Sequence, residues 1–224
     1  MSSMMQRPLL ISSLIEHAAQ NHAQTEIISR TIEGGATFTL HRSNYGDTCK
    51  RAKRLANALT RLGVKTGERI GTLAWNGYRH FELYYGVSGM GAVMHTINPR
   101  LFPEQLVYIA THAEDKYVFF DLTFAPLIEV LSAKVPGIKG FVAMADQECM
   151  TAALANNNIR NLLCFEELIA AESEQYEWPQ FDELTPSSLC YTSGTTGNPK
   201  GVLYTHRSTL LHTFGGMSPE VPEV

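Results

Sequence analysis

One stretch of the sequence carries most of its recognisable chemistry: Leu189-Cys190-Tyr191-Thr192-Ser193-Gly194-Thr195-Thr196-Gly197-Asn198-Pro199-Lys200-Gly201-Val202. Its glycines can adopt positive φ and let a ligand approach the backbone. Successive backbone N–H groups in such a run form a concave anion site, to which Ser and Thr hydroxyls add donors. Lys200 supplies a point charge for phosphate, and Pro199 stiffens the exit. The stretch therefore favours a polyphosphate ligand.

The stretch differs from the loop of the P-loop NTPases. The G-x-x-x-x-G-K-[ST] pattern fails because Pro199 stands five residues after Gly194 and Gly201 follows Lys200. The flanking residues 188–191 and 202–204 both have strand character, so the loop is predicted to join two strands rather than to open a helix. By composition alone, a Gly/Ser/Thr connection with no ligand remains an alternative.

Outward from the loop, strand patterns alternate with helix patterns. This alternation favours an α/β fold, with a parallel or mixed sheet covered by helices on both faces. The segment 146–186 gives a weaker signal, namely a possible helix at 147–155 and then an acidic surface connection over 172–186. The predicted strands are 26–30, 37–40, 69–75, 92–96, 117–121, 140–144, 188–191 and 202–204, and the remaining predicted helices are 9–23, 44–62, 78–89, 104–112 and 124–133.

The ordered string from Thr192 to Gly201, preceded by Tyr191, resembles the signature phosphate-binding loop of the adenylate-forming (AMP-binding) superfamily. Acyl-CoA synthetases, peptide-synthetase adenylation domains and luciferases belong to that superfamily. The rest of the chain is similar too, and within the superfamily it looks most like bacterial fatty-acid–CoA ligases, including the branch of 3-(methylthio)propionyl-CoA ligases. The landmarks shared with the superfamily outside the loop are 67–70, 75–77, 82–86, 91–93, 97–101 and 204–207. The segments that look most like the CoA ligases are 7–19, 80–89, 95–109 and 187–208.

The resemblance implies an ATP-dependent reaction in two steps. A carboxylic acid would attack the α-phosphorus of ATP to give an acyl-adenylate and pyrophosphate, and the thiol of coenzyme A would then displace AMP. It also implies that the loop holds the β- and γ-phosphates and that Thr192 lies near Mg²⁺. The residues carried over as ATP-binding are Thr192, Ser193, Gly194, Thr195, Thr196, Gly197 and Lys200, with Thr192 also assigned to the metal.

In the superfamily this loop lies in the first half of a large N-terminal domain. Residues 1–224 are therefore expected to be a truncated part of that domain, without its remainder and without the C-terminal lid domain, and to have little ligase activity alone. An unpaired sheet edge would favour self-association, including homo-oligomers. Two alternatives stay open: a non-catalytic nucleotide-binding remnant, and an adenylation domain that loads a carrier protein.

Composition limits the other function classes. The chain has 224 residues, 44% of them apolar and 18% charged, and its net charge of −4 gives no basic field for nucleic acid. The N-terminus is too polar for a signal peptide, and the uncharged segment 83–98 is too short and too polar for a membrane span. The expected location is cytoplasmic. Four widely spaced cysteines indicate buried free thiols rather than a zinc site.

Several other residues allow both a structural and a functional interpretation. The basic residues of the predicted helix 44–62 favour a solvated face rather than an anion site. His206 could line the ligand site or cap a strand. Trp75, Tyr84 and Tyr85 are predicted to be core residues. The Gly89-Met90-Gly91 string indicates close backbone packing rather than a dinucleotide fingerprint.

Overall fold

A computed structural model describes residues 4, 6–31, 33, 39–192 and 198–217. The helices are α1 (Ser12–Asn21), α2 (Tyr45–Arg61), α3 (Tyr78–Gly89), α4 (Pro103–His112), α5 (Ala125–Lys134), α6 (Gln147–Leu154), α7 (Phe165–Ala170) and α8 (His206–Gly216). The strands are β1 (Glu26–Arg30), β2 (Leu40–Asn44), β3 (Arg69–Leu73), β4 (Val93–Thr96), β5 (Tyr117–Phe120), β6 (Gly140–Ala143), β7 (Leu162–Cys164), β8 (Pro186–Thr192) and β9 (Lys200–Thr205).

The main sheet has the strand order β7-β6-β5-β3-β4-β8-β9, and its neighbouring strands are parallel except for the antiparallel pair β8–β9. Both faces are covered, as expected for a mainly parallel sheet. Consecutive residues of β5 show this arrangement. Val118 packs into a core with Ile109 of α4 and Ile128 of α5, whereas Phe119 packs with Leu55 of α2 on the other face. The predicted α/β fold with helices on both faces is confirmed.

Local signals set the helix boundaries. The side chain of Asn44 accepts a hydrogen bond from the backbone N–H of Asp47 at 2.8 Å and caps the start of α2. Just beyond the end of α2, Gly63 adopts φ +79°, a conformation that favours glycine. The helix predicted over 44–62 is therefore confirmed, with Asn44 as its cap. The strand predicted at 37–40 is wrong in position, because the partner of β1 is Leu40–Asn44; residues 34–38 lie outside the described residues.

Three of these α-helices and strands were not predicted. β7 has three residues and α7 has six, so neither is long enough to show a clear period in the sequence. The third is α8, whose sequence HRSTLLHTFGG has no apolar stripe and ends in two glycines. The acidic connection is mostly exposed, as predicted, but Tyr176 and Trp178 within it pack against the α2–α3 core.

The string Gly89-Met90-Gly91 packs closely against other parts of the chain, as predicted. A Cβ placed on Gly89 would lie 2.5 Å from Cζ3 of Trp178. The indole of Trp178 is itself held, because its Nε1 donates to Oε1 of Glu16 at 2.8 Å. Gly91 adopts φ +89°, which disfavours any side chain.

Gly89→Ala should therefore destabilise the fold, because the added methyl group must displace the Trp178 ring. We expect the free energy of unfolding to fall by about 2 kcal/mol, in the range for overpacked sites. Urea unfolding measures the change. Gly137→Ala is the control, since nothing lies within 4 Å of a Cβ at Gly137. Equal midpoints for the two variants would contradict the packing argument.

Among the described residues, no helix is both long and apolar enough to cross a membrane.

Candidate phosphate-binding site

The predicted loop is held by the hairpin of β8 and β9. Thr192 pairs with Lys200, and Tyr191 pairs with Gly201 one step further from the loop. The loop therefore joins two strands, as predicted, although both strands are longer than expected. Of the predicted site residues, Thr192 and Lys200 are described and lie opposite each other; Ser193, Gly194, Thr195, Thr196 and Gly197 lie outside the described residues.

The hairpin places the two ends of the loop, Thr192 and Lys200, at the carboxyl edge of the sheet. Because β8 runs parallel to β4, it ends at the same edge of the sheet as β4, β3 and β5. In open α/β sheets, ligands bind at this edge. Thr192 and Lys200 are both exposed there, and within the described part of the chain Lys200 forms no ion pair. An ammonium group and a hydroxyl at the two ends of a loop rich in Gly, Ser and Thr suit an anionic ligand.

His206 does not line the ligand site. It is fully buried at the start of α8, and its Nδ1 accepts a hydrogen bond from the backbone N–H of Ile11 at 3.1 Å. Its ring packs edge-on against Phe181. Burial lowers the pKa of His206 to about 4, so the imidazole is neutral in the folded protein at pH 7. His206 therefore joins the N-terminal segment to α8.

This buried imidazole makes stability depend on pH. His206 takes up a proton less readily in the folded state than in the unfolded chain. The stability that neutral His206 contributes is therefore complete above about pH 6.5 and is lost as pH falls toward 4. Between pH 7.5 and pH 5.0, the wild-type chain should lose about 2 kcal/mol more than His206→Gln, which keeps an acceptor but does not titrate. Urea unfolding at the two pH values tests this difference. The same pH dependence in both proteins would rule out His206 as the group responsible.

Two aromatic residues predicted to be in the core are exposed instead. Trp75 is 48% exposed and Tyr84 is 37% exposed, whereas Tyr85 is half-buried. Trp75 follows β3 at the carboxyl edge and helps to line a cavity of about 420 Å³ with Tyr78 and Asp121. The Asp121 carboxylate accepts from the backbone N–H of Trp75 at 2.6 Å, and burial raises its pKa to about 7. This cavity could not be predicted from the sequence, in which β3 is followed only by residues typical of a turn.

The prediction of a solvated basic face on α2 is wrong for Arg51. Its guanidinium bonds Oε1 of Glu82 at 2.7 Å and both oxygens of Glu166 at 2.9 Å. Other cations of α2 reach acidic partners outside the helix as well: Lys53 pairs with Glu16, Arg54 with Glu174 and Arg61 with Glu172. These ion pairs tie α2 to α1, α3, α7 and the acidic connection, so the basic face has a structural role.

The thiols and one acidic cluster also have structural explanations. Cys49 and Cys164 are buried free thiols, as predicted, but Cys149 and Cys190 are only partly buried. The acidic cluster consists of Glu33, Asp146 and Cys149, and one potential metal-ligand atom of each lies within 4.8 Å of the others. Glu33 already pairs with Arg79, and Asp146 caps α6 by accepting from the backbone N–H of Cys149. These contacts account for the cluster without an ion.

A mainly parallel sheet with a hairpin at its carboxyl edge is the architecture expected of the adenylate-forming class of α/β proteins. Residues 15–222 match the family described as AMP-binding enzyme, so the chain belongs to that family. The predicted family is thereby confirmed.

Two curated relatives resemble nearly the whole chain. The 3-methylmercaptopropionyl-CoA ligase of Ruegeria lacuscaerulensis is 52% identical over 99% of this chain and 40% of its own length. The medium-chain-fatty-acid–CoA ligase of Ectopseudomonas oleovorans is 46% identical over 98% of this chain and 39% of its own length. The chain thus spans about two fifths of the length of these curated relatives.

A solved structure shares the fold. The anthranilate CoA ligase AuaEII, crystallised with anthranoyl-AMP, superposes with a TM-score of 0.75 at 23% identity. The match covers 92% of this chain and 37% of that enzyme. The fold is therefore the one found in the first part of an adenylate-forming ligase.

Proposed function

We propose that this chain is the first part of the N-terminal domain of an ATP-dependent acid–thiol ligase, and that its β8–β9 loop binds the polyphosphate of ATP. The observation that carries the proposal is the pairing of Thr192 with Lys200 at the carboxyl edge of the sheet. The 52% identity to a CoA ligase along nearly the whole chain supports it.

The proposed reaction makes a carboxylic acid reactive. A carboxylate is a poor electrophile because its leaving group would be oxide. Its oxygen attacks the α-phosphorus of ATP, the bond to the bridging oxygen breaks, and pyrophosphate leaves. The thiolate of coenzyme A then attacks the acyl carbon, and AMP departs with the bonding electrons. The substrates proposed are a fatty acid or a short thioether acid, ATP and coenzyme A.

The described residues suit the first step. Lys200 has no ion-pair partner among the described residues, and its positive charge beside the phosphates of ATP would offset the charge that builds up on the departing pyrophosphate. The Thr192 hydroxyl oxygen is a ligand of the kind that Mg²⁺ takes together with phosphate oxygens. When bound, Mg²⁺ would neutralise phosphate charge. We propose that Ser193, Gly194, Thr195, Thr196 and Gly197 complete the phosphate contacts.

The test is acid-dependent ATP–pyrophosphate exchange by the natural gene product, whose mass in the source cells is first measured by blot and intact-mass analysis. We expect exchange with 3-(methylthio)propionate or a fatty acid, and acyl-CoA after coenzyme A is added. ATP binding without exchange would replace the proposal with a non-catalytic nucleotide-binding role. Exchange followed by acylation of a carrier protein instead of coenzyme A would overturn the choice of thiol.

A further inference from the structure

Tyr191, the residue before the loop, is surrounded by polar groups that the proposed reaction does not use. Its hydroxyl lies 2.6 Å from Nδ1 of His112, at the end of α4. The two rings meet edge-on, with centroids 5.9 Å apart. On the other side, the ring of His95 in β4 packs against Tyr191 with a centroid distance of 5.2 Å. Two histidines from different elements therefore contact this one phenol ring.

The His95 ring is oriented by a buried carboxylate. Its Nδ1 lies 2.9 Å from each oxygen of Asp115, and both side chains are almost completely buried. Within the described part of the chain, Nε2 of His95 has no hydrogen-bond partner, so Asp115 provides the whole polar anchorage of the ring. Burying an unpaired carboxylate costs free energy, so Asp115 needs its hydrogen bonds to His95.

The surrounding backbone leaves room for this pair. Gly71 of β3 pairs with His95 in register, and a Cβ on Gly71 would lie 3.0 Å from Oδ2 of Asp115. Asp115 itself is fixed at the end of α4, since its backbone N–H bonds the carbonyl of Ala110 at 3.1 Å. The positions of Asp115, His95 and His112 are thus set by the sheet and by α4.

The Tyr191 ring reaches both strands of the hairpin. It lies over Gly201 of β9, where an added Cβ would come within 3.3 Å of the ring carbon Cζ. Tyr191 and Gly201 are paired in register, next to the pair of Thr192 and Lys200 that opens the loop. A contact that fixes Tyr191 therefore fixes both ends of the loop.

We propose that Asp115, His95, His112 and Tyr191, here called the Tyr191 clamp, are positioning residues that hold Thr192 and Lys200 at a fixed separation for polyphosphate binding. This inference rests on the proposed function of the loop. The clamp lowers the conformational entropy that binding must otherwise remove, so loosening it weakens binding without removing any group that touches the ligand.

The test uses the natural gene product and inorganic pyrophosphate with Mg²⁺, titrated by ³¹P NMR. His112→Leu removes the bond to the phenol, and His112→Gln keeps a side chain that can make it. Because one hydrogen bond to Tyr191 is lost, we expect His112→Leu to raise the dissociation constant about threefold to tenfold. His112→Gln should restore most of the affinity. Asp115→Asn, which keeps the shape but removes the charge, should weaken binding by a similar factor.

The controls separate positioning from stability. His112 is exposed, so His112→Leu should leave Tm within a few degrees of wild type, and His22→Leu should leave both Tm and affinity unchanged. Unchanged affinity in all clamp variants, or equal loss in His112→Leu and His112→Gln, would overturn the clamp while leaving the loop as the phosphate site. A wild-type chain that binds no pyrophosphate would overturn the proposed role of the loop, and the clamp with it.

Discussion

Replacing Lys200 by methionine should lower acid-dependent ATP–pyrophosphate exchange by about two to three orders of magnitude. Lys200 lies at the mouth of the proposed phosphate loop, opposite Thr192, with no ion pair among the described residues. Removing a group that stabilises developing charge in an active site typically costs about 3–4 kcal/mol of activation free energy. Each 1.4 kcal/mol is about tenfold in rate.

The measurement is exchange by the natural gene product at saturating acid, with ATP varied. Lys134→Met is the matched control, because Lys134 is exposed at the end of α5 and lies outside the proposed site. Lys200→Arg keeps the charge in a planar, bulkier group and should recover only part of the rate. If Lys200→Met loses no more activity than Lys134→Met, Lys200 has no part in catalysis.

The second large effect is on stability, at Arg51. The Glu82 side chain that it bonds is only 2% exposed, and Arg51 itself is 24% exposed. Arg51→Met would leave that carboxylate without its nearest cation, and loss of one partner from a buried pair costs about 3 kcal/mol or more. For a chain of this size, Tm should fall by roughly 10 °C.

The effect of Arg51→Met on stability should also depend on pH. Burial raises the pKa of Glu82 to about 7 even beside Arg51. Since the folded state holds this proton more tightly than the unfolded chain, stability is lost as pH rises from about 4.5 through 7. Without Arg51, the pKa of Glu82 would rise further. The difference between wild type and Arg51→Met should therefore grow with pH above 7.

Urea unfolding at pH 6 and pH 8 measures both the loss of stability and its change with pH. Lys50→Met on the same helix is the control, because Lys50 and its partner Asp47 are each 54% exposed and such pairs contribute at most about 1 kcal/mol. Adding Glu82→Leu to Arg51→Met should recover part of the loss by removing the stranded carboxylate. A pH-independent loss in Arg51→Met would show that packing, rather than charge, explains the effect.

The sequence predicted best those elements whose signal is local. β5 is a short apolar run, α3 was predicted at its observed bounds, and Gly63 marks where α2 has ended. The loop was found because its residue types and their order are both distinctive. Its placement between two strands also followed from the flanking residues, and the structure confirms it.

Contacts between distant positions could not be predicted in this way. Arg51 meets Glu166 more than a hundred residues further along the chain, and no local pattern indicates that pairing. The same holds for His95 and Tyr191, which are brought together by the neighbouring strands β4 and β8. Trp75 was misplaced because aromatic character predicts burial, whereas its position after β3 puts it at the open edge of the sheet.

The strand order also has a consequence for how the chain folds. Strands β3 to β7 come from residues 69–164, whereas β8, which pairs with β4, begins only at Pro186. A chain that grows from its N-terminus therefore completes five parallel strands before the hairpin exists. Pairings between distant segments form slowly, and domains assemble as the chain emerges. We expect the β8–β9 hairpin to be the last part of this sheet to form, and the edge of β4 to be the site most open to misassembly until then.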